Sequence, residues 1–285
     1  MTPEDSTFQG AGGLRLVARR GAPRAPAVPR GAVALVHGFG EHSGRYEAAV
    51  AALTTRGFAV HAFDLRGHGR SPGRRGHIDA WADYRGDLAA FLEHVRTQEA
   101  ARTPLFLYGH SLGGAIALDY GLRDPDGLAG VVASSPSLVP TGVRSPGLEA
   151  LGRALSRVYP TFSIKMPLET AAISRSPEIL AANRADPLNH RRITARAATV
   201  TLRALEWTRA HAGEWRLPLL VIHGGADRII DPEGSRAFVA AARAAGPADV
   251  ELRIYEGGYH EPHNDLEAPK VMSDVADWLE RHLPA

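Results

Sequence analysis

The sequence contains no cysteine. That absence excludes a disulfide scaffold, a thiol nucleophile, an iron–sulfur cluster and cysteine-ligated zinc. Covalent catalysis by this chain would have to use Ser, Thr, Lys or a carboxylate. Lysine is scarce as well: Lys165 and Lys270 are the only two, so nearly all the basic charge is arginine. Charge of one sign is also lacking. In 285 residues, 33 Lys+Arg stand against 31 Asp+Glu, a formal net charge of +2. The arginines form only short scattered pairs, such as Arg19-Arg20, Arg74-Arg75 and Arg191-Arg192. A nucleic-acid binder would gather them on one face, so no nucleic-acid partner is expected. No apolar run approaches the roughly 18 residues of a membrane span. The opening Met1-Thr2-Pro3-Glu4-Asp5 lacks the basic stretch and apolar core of a signal peptide. The expectation is a soluble, cytoplasmic chain.

What is present is an ordinary globular composition, 44% hydrophobic and 22% charged, with length enough for one large core. Short apolar runs alternate with helical patterns. Ala32–Val36, Phe58–Leu65, Leu105–Tyr108, Val131–Ala133, Leu219–Ile222 and Leu252–Tyr255 read as strands. Tyr46–Arg56, Trp81–Gln98, Leu112–Tyr120, Ser235–Ala244 and Val271–His282 read as helices. Strands apolar on both faces and separated by helices predict an α/β fold with a mostly parallel central sheet and helices on both faces.

The rhythm breaks between about Ser137 and Trp207, where Pro140, Pro146, Pro160, Pro167, Pro177 and Pro187 interrupt short helical pieces. An insertion of this length between strands of one sheet predicts an inserted helical cap, or lid, rather than a loop. The expected organisation is a core in two parts, residues 1–136 and 208–285, with the cap at 137–207. Apolar residues of the insert, including Leu148, Leu151 and Leu155 at helical spacing, are expected to pack on that core. No internal repeat or low-complexity segment is present.

Gly109-His110-Ser111-Leu112-Gly113 matches G-x-S-x-G. A strand pattern leads into it and a helix pattern leaves it, the context a nucleophile elbow requires. A serine hydroxyl needs a base to take its proton and an acid to orient that base. The order expected after such an elbow is acid, then histidine. Asp227 follows the run Leu219–Ile222, and His260 follows Leu252–Tyr255. Asp231 is the alternative acid, though it lies further from its strand and precedes Pro232. Oxyanion donors are expected from the backbone N–H of Leu112 and, in the loop His37-Gly38-Phe39-Gly40, of Phe39. His260-Glu261-Pro262-His263 is not the helical H-E-x-x-H of a zinc enzyme, so no metal is expected.

Together with these motifs, six stretches resemble the monoacylglycerol lipases of the α/β-hydrolase fold, the monoglyceride lipase/lysophospholipase group. They are His37–Tyr46, Asp64–Ser71, Gly109–Gly114, Asp186–Leu188, Gly225–Arg228 and Tyr259–Glu261. The resemblance implies a nucleophile at Ser111, an acid at Asp227, a base at His260 and oxyanion donors at Phe39 and Leu112. It implies a monoacylglycerol substrate, no metal or organic cofactor, and transient peripheral contact with membranes through the cap. It also places Glu41, Arg45 and His263 near the glycerol end of the substrate, with a structural salt bridge the alternative for Glu41 and Arg45. Asp64–Ser71 should brace the site through turn hydrogen bonds. Asn183 stands where related sequences often carry Tyr, which weakens the expectation of polar recognition from the cap. Ile229 and Ile230 stand where vertebrate relatives have cysteine near the acid. A lysophospholipase or broad carboxylesterase would use the same triad, and a catalytically silent lipid-binding protein is the reading from a different class.

Overall fold

The computed structural model describes residues 4–23, 28–141, 146–166, 169–244, 246 and 248–284. In chain order the elements are β1 (Glu4–Gln9), β2 (Arg15–Gly21), β3 (Gly31–Val36), α1 (Glu47–Thr55), β4 (Phe58–Phe63), α2 (Trp81–Gln98), β5 (Leu105–His110), α3 (Leu112–Arg123) and β6 (Gly130–Ser134). There follow α4 (Pro146–Val158), β7 (Ser163–Lys165), α5 (Pro177–Ala185), β8 (Arg192–Thr194), α6 (Ala195–Ala210), β9 (Leu219–Gly224), α7 (Pro232–Ala244), β10 (Val250–Tyr255) and α8 (Ala268–Arg281).

β3, β4, β5, β6 and β9 are buried at every position, which is why they read as continuous apolar runs. Eight strands form one sheet in the order β1-β2-β4-β3-β5-β6-β9-β10. The six from β4 to β10 run parallel. Helices cover both faces. On one side, Phe91 and Leu92 of α2, Ile116 of α3 and Phe238 of α7 pack with Phe63 and Leu107. On the other, Leu53 of α1 and Trp278 of α8 pack with Leu35, Phe58 and Ile222. Each such side chain stabilises the fold by about 1.5–3 kcal/mol relative to its exposed state. This is the α/β architecture expected. Among the described residues no helix is long and apolar enough to cross a membrane.

Three features depart from the sequence reading. The expected alternation begins at Ala32, yet β1 and β2 already form an antiparallel hairpin, and β2 pairs antiparallel with β4. At the sheet's edge the hairpin buries only one side. In β1 just Phe8 is buried, in β2 chiefly Leu16 and Ala18, so both lack the apolar density of an inner strand. Charged positions of the outer strand, Glu4 and Asp5, also guard the open edge against further pairing. Between β6 and β9 the described chain adds no strand to the main sheet, but it carries a small ribbon in which β7 pairs antiparallel with β8. Strands of three residues are too short for alternation to declare them. Finally, Leu148 and Leu151 of α4 are exposed rather than packed on the core. Residues 142–145 and 167–168, Pro167 among them, lie outside the described part.

Leu16 is fully buried in β2 and belongs to the core cluster on one face of the sheet. Leu16→Ala is therefore expected to destabilise the protein by about 2–5 kcal/mol. Urea denaturation followed by circular dichroism checks this; a loss well under 1 kcal/mol would mean the hairpin is not part of the cooperative unit.

Candidate active site

β5 runs straight to His110 and α3 begins at Leu112, leaving Ser111 alone in the turn. Its backbone sits at φ 52° and ψ −113°, a strained region for a residue with a Cβ. Two glycines make so sharp a reversal possible. A Cβ on Gly109 would lie 2.2 Å from the Gly113 carbonyl oxygen, and one on Gly113 would lie 2.2 Å from that of Val36. Ser111 makes no side-chain cap bond to α3. Its hydroxyl points instead to His260, donating to Nε2 at 2.9 Å, and lies 3.1 Å from Ser137 Oγ.

Parallel pairing of β9 with β10 sets Tyr255 beside Gly224, so the loops that follow the two strands lie side by side. Gly258 accepts from Ala226 N–H at 2.9 Å, and a Cβ on Gly224 would collide with the Tyr259 carbonyl. This close approach brings Asp227 to His260: Nδ1–H donates to Asp227 Oδ2 at 2.7 Å. A carboxylate only accepts, so the proton resides on Nδ1 and Nε2 is left free to accept from Ser111. Asp227 Oδ1 takes the backbone N–H groups of Ile229 and Ile230 at 2.8 and 3.0 Å. Oδ2 also accepts from His223 Nε2 at 3.1 Å. Burial opposes ionisation of Asp227, but His260 and His223 outweigh it and hold its pKa far below the ordinary carboxylate range. Burial likewise disfavours a charged His260, yet Asp227, Glu261 and Glu41 reverse the balance and raise its pKa above 6.5. Asp231, the alternative acid, instead accepts from Glu233 N–H at the start of α7.

The loop after β3 lies against the elbow. A Cβ on Gly38 would fall 3.2 Å from that of Ser111. Among the described residues the N–H groups of Phe39 and Leu112 donate to no protein acceptor, while both residues line the same cavity as Ser111. Glu41 Oε1 grips this loop by accepting from Gly38 N–H at 2.6 Å, and it takes the Tyr46 hydroxyl at 2.7 Å. Its other oxygen pairs with Arg45, whose guanidinium also reaches both oxygens of Glu261 at 2.7 and 2.8 Å. Burial penalises the Glu41 charge, but Arg45, His37 and the Tyr46 hydroxyl prevail and bring its pKa down to about 2. Arg45 thus clamps the loop after β3 to the loop bearing His260. Around it, Asp64 accepts from Ser43 and Arg70 N–H, and Ser71 donates back to the Asp64 carbonyl, so Asp64–Ser71 does brace the site by turn hydrogen bonds.

A cavity of about 1070 Å³ opens over Ser111. Its lining includes Gly38, Phe39, Glu41, Arg45 and His260, together with Met166, Ile173, Ile193, Leu202 and Leu205 from the stretch between β6 and β9, and Ile229 and Ile230. Asn183 of α5 also lines it. His263 does not. Its ring is fully buried, stacks on Tyr46 with centroids 4.6 Å apart, and has its pKa pushed by burial down to about 4. The polar substrate contacts expected from the sequence therefore reduce to Glu41 and Arg45, both already engaged in the ion-pair network, and Asn183. Among the described residues no group of three or more His, Asp or Glu side chains is placed to hold a metal ion.

Sequence reasoning missed three participants. His223 lies between the run Leu219–Ile222 and Asp227 but carries no motif of its own. Ser137 lies beyond any recognisable pattern. Glu261 was noted only beside His260, since its bond to Arg45 spans 216 residues.

An eight-stranded, mostly parallel sheet with Ser, Asp and His at strand ends in this order defines a serine hydrolase of the α/β-hydrolase fold. The family model Hydrolase_4, described as serine aminopeptidase S33, matches residues 27–267, and the chain belongs to that family. It is 36% identical over 289 residues to the monoacylglycerol lipase of Mycolicibacterium smegmatis, covering 99% of each chain. It is 31% identical over 251 residues to human monoglyceride lipase, covering 87% of this chain and 80% of the human one. The crystal structure of Paleococcus ferrophilus monoacylglycerol lipase superposes with a TM-score of 0.81 at 32% identity, over 99% of this chain and 100% of that one.

Arg45→Met would leave Glu41 and Glu261 as adjacent buried carboxylates with no cation between them. A loss of about 3–5 kcal/mol at neutral pH is expected in urea unfolding. Glu41 has a depressed pKa, so its ionisation stabilises the fold above 4.5 and that contribution fades as pH falls toward about 2. The deficit of the variant should shrink across that window, and a deficit independent of pH would contradict the electrostatic account.

Proposed function

We propose that the protein hydrolyses the ester of monoacylglycerols, releasing a free fatty acid and glycerol through an acyl-enzyme on Ser111. The observation that carries this reading is the unbroken relay Ser111–His260–Asp227, whose Ser111 and His260 line a large, chiefly apolar cavity. In this reading His260 Nε2 takes the Ser111 proton as Oγ attacks the ester carbonyl. The N–H groups of Phe39 and Leu112 receive the developing oxyanion, which their lack of protein acceptors leaves them free to do. His260 then passes its proton to the departing glycerol oxygen. Water, deprotonated by the same nitrogen, attacks the acyl-enzyme and returns Ser111 to its starting state. Asp227 remains ionised throughout, stabilising the imidazolium. No metal or organic cofactor enters any step.

Glu41 and Arg45 hold the oxyanion loop and present their cavity-facing edges where glycerol would leave. Residues 137–207 act as the cap, supplying the apolar acyl site between core segments 1–136 and 208–285. The same cap exposes Leu151, Val158, Tyr159, Phe162 and Ile164, with Arg153, Arg157 and Lys165 among them. Apolar side chains interleaved with cations suit transient contact with a membrane surface, from which an insoluble monoacylglycerol could enter the cavity. The relatives named monoacylglycerol or monoglyceride lipase support this substrate over a phospholipid.

Ser111→Ala is expected to lower kcat on a monoacylglycerol by about 10⁶-fold and to abolish labelling by a fluorophosphonate probe. A competition panel of monoacylglycerol, diacylglycerol, lysophosphatidylcholine and p-nitrophenyl esters tests the substrate; faster turnover of lysophosphatidylcholine than of monoacylglycerol would reject it. The working base is neutral His260, so kcat/KM should fall on the acid side as pH drops through its raised pKa. The midpoint of that limb is expected above 6.5.

A further inference from the structure

Beside His260, on the same oxygen of the Asp227 carboxylate, lies a second histidine. His223 is the penultimate residue of β9, fully buried, and four residues before Asp227. Its Nε2 faces two groups that can only accept, Asp227 Oδ2 at 3.1 Å and the Ile230 carbonyl at 3.3 Å. The proton must therefore reside on Nε2. Nδ1 in turn is 2.8 Å from the hydroxyl of Ser235, a buried residue of α7. A ring with its single proton on Nε2 accepts at Nδ1, and Ser235 then donates. The hydrogen-bond chain thus continues beyond the triad: Ser235 to His223, His223 to Asp227, with His260 donating to the same carboxylate oxygen.

We infer that His223 is a positioning residue of this active site, acting through Asp227, with Ser235 holding its ring in place. The inference rests on the relay proposed above. Two consequences follow from the geometry. First, orientation: Asp227 Oδ1 is held by two backbone N–H groups and Oδ2 by two imidazoles, so the carboxylate cannot turn away from His260. Among the described residues, without His223 that oxygen keeps His260 as its only protein donor. Second, charge: a donor on Oδ2 draws off part of the negative charge that would otherwise stabilise the His260 imidazolium. Losing that donor makes Asp227 a stronger partner and raises the pH at which His260 gains its proton. The other titratable groups around His260 are Glu261 and Glu41, with His110 at a centroid distance of 4.9 Å and His263 beyond it. A substitution at 223 alters none of them, so a shift of the acid limb reports on Asp227.

The test compares His223→Leu, His223→Gln and Ser235→Ala with Asp227→Asn in one assay of monoacylglycerol hydrolysis across pH. His223→Leu removes the donor while keeping the volume; kcat should fall about 10- to 100-fold with KM nearly unchanged, and the acid limb should move to higher pH. His223→Gln can place an amide N–H near the same point and should recover kcat to within about five-fold of the parent, with the limb restored. Ser235→Ala should produce a smaller shift of the limb in the same direction. A folded His223→Leu with kcat within two-fold and an unmoved limb would overturn the inference, as would His223→Gln losing as much as His223→Leu. If His223→Leu does not fold, an unmoved limb in Ser235→Ala, or a loss of more than about ten-fold in His223→Gln, overturns it equally. Asp227→Asn separates the two levels: full activity there removes the relay itself, whereas its collapse beside an unaffected His223→Leu removes only the role of His223.

Discussion

The parallel register of the inner strands is the constraint on which the site depends. Because β3, β5, β9 and β10 all run in one direction, the loops that follow them emerge at the same end of the sheet. Those loops carry Phe39, Ser111, Asp227 and His260. Residues more than a hundred positions apart meet without any long connection having to be ordered for the purpose. The glycines at Gly109, Gly113 and Gly224 then remove the last ångströms, since side chains there would strike backbone oxygens and spread the loops.

Within that frame, buried charge decides which groups are ionised. Arg45 lies between Glu41 and Glu261, and the carboxylates reach the oxyanion loop and the histidine loop respectively. Such a triad is weak evidence of net stability, since the desolvation of three charges offsets much of their attraction. Its clearer effect is geometric: it fixes the spacing between the Gly38–Phe39 turn and His260. It also leaves a surplus negative charge near His260, which joins Asp227 in favouring the imidazolium. The two ends of the relay are therefore tuned by different networks, Arg45 on the oxyanion side and His223 on the acid side.

The stretch from α4 to β8 follows a different logic. Where inner strands are buried on both faces, α4 and the β7–β8 ribbon keep apolar side chains facing outward, with Val158 as much as 86% exposed. A core-packed element would bury those residues, and a purely solvent-facing one would replace them. Exposed apolar side chains here alternate with arginines, a surface unlike that of either buried helix layer.

Much of this was legible in the sequence alone. Buried strands read as apolar runs because both faces are covered, and the three relay residues each stand directly behind such a run, so order and position could be inferred without coordinates. Cysteine-free composition had already narrowed the choice of nucleophile. The edge hairpin β1–β2 was not legible, because it buries one face only and its outer strand keeps a single buried residue. The ribbon β7–β8 was too short to show a period. Arg45 with Glu261, the placement of His223 against Asp227, and the withdrawal of His263 from the cavity into a stack on Tyr46 belong to the tertiary structure. These are pairwise meetings across sheet and loop, set by strand register and close packing, and local sequence pattern carries no record of either.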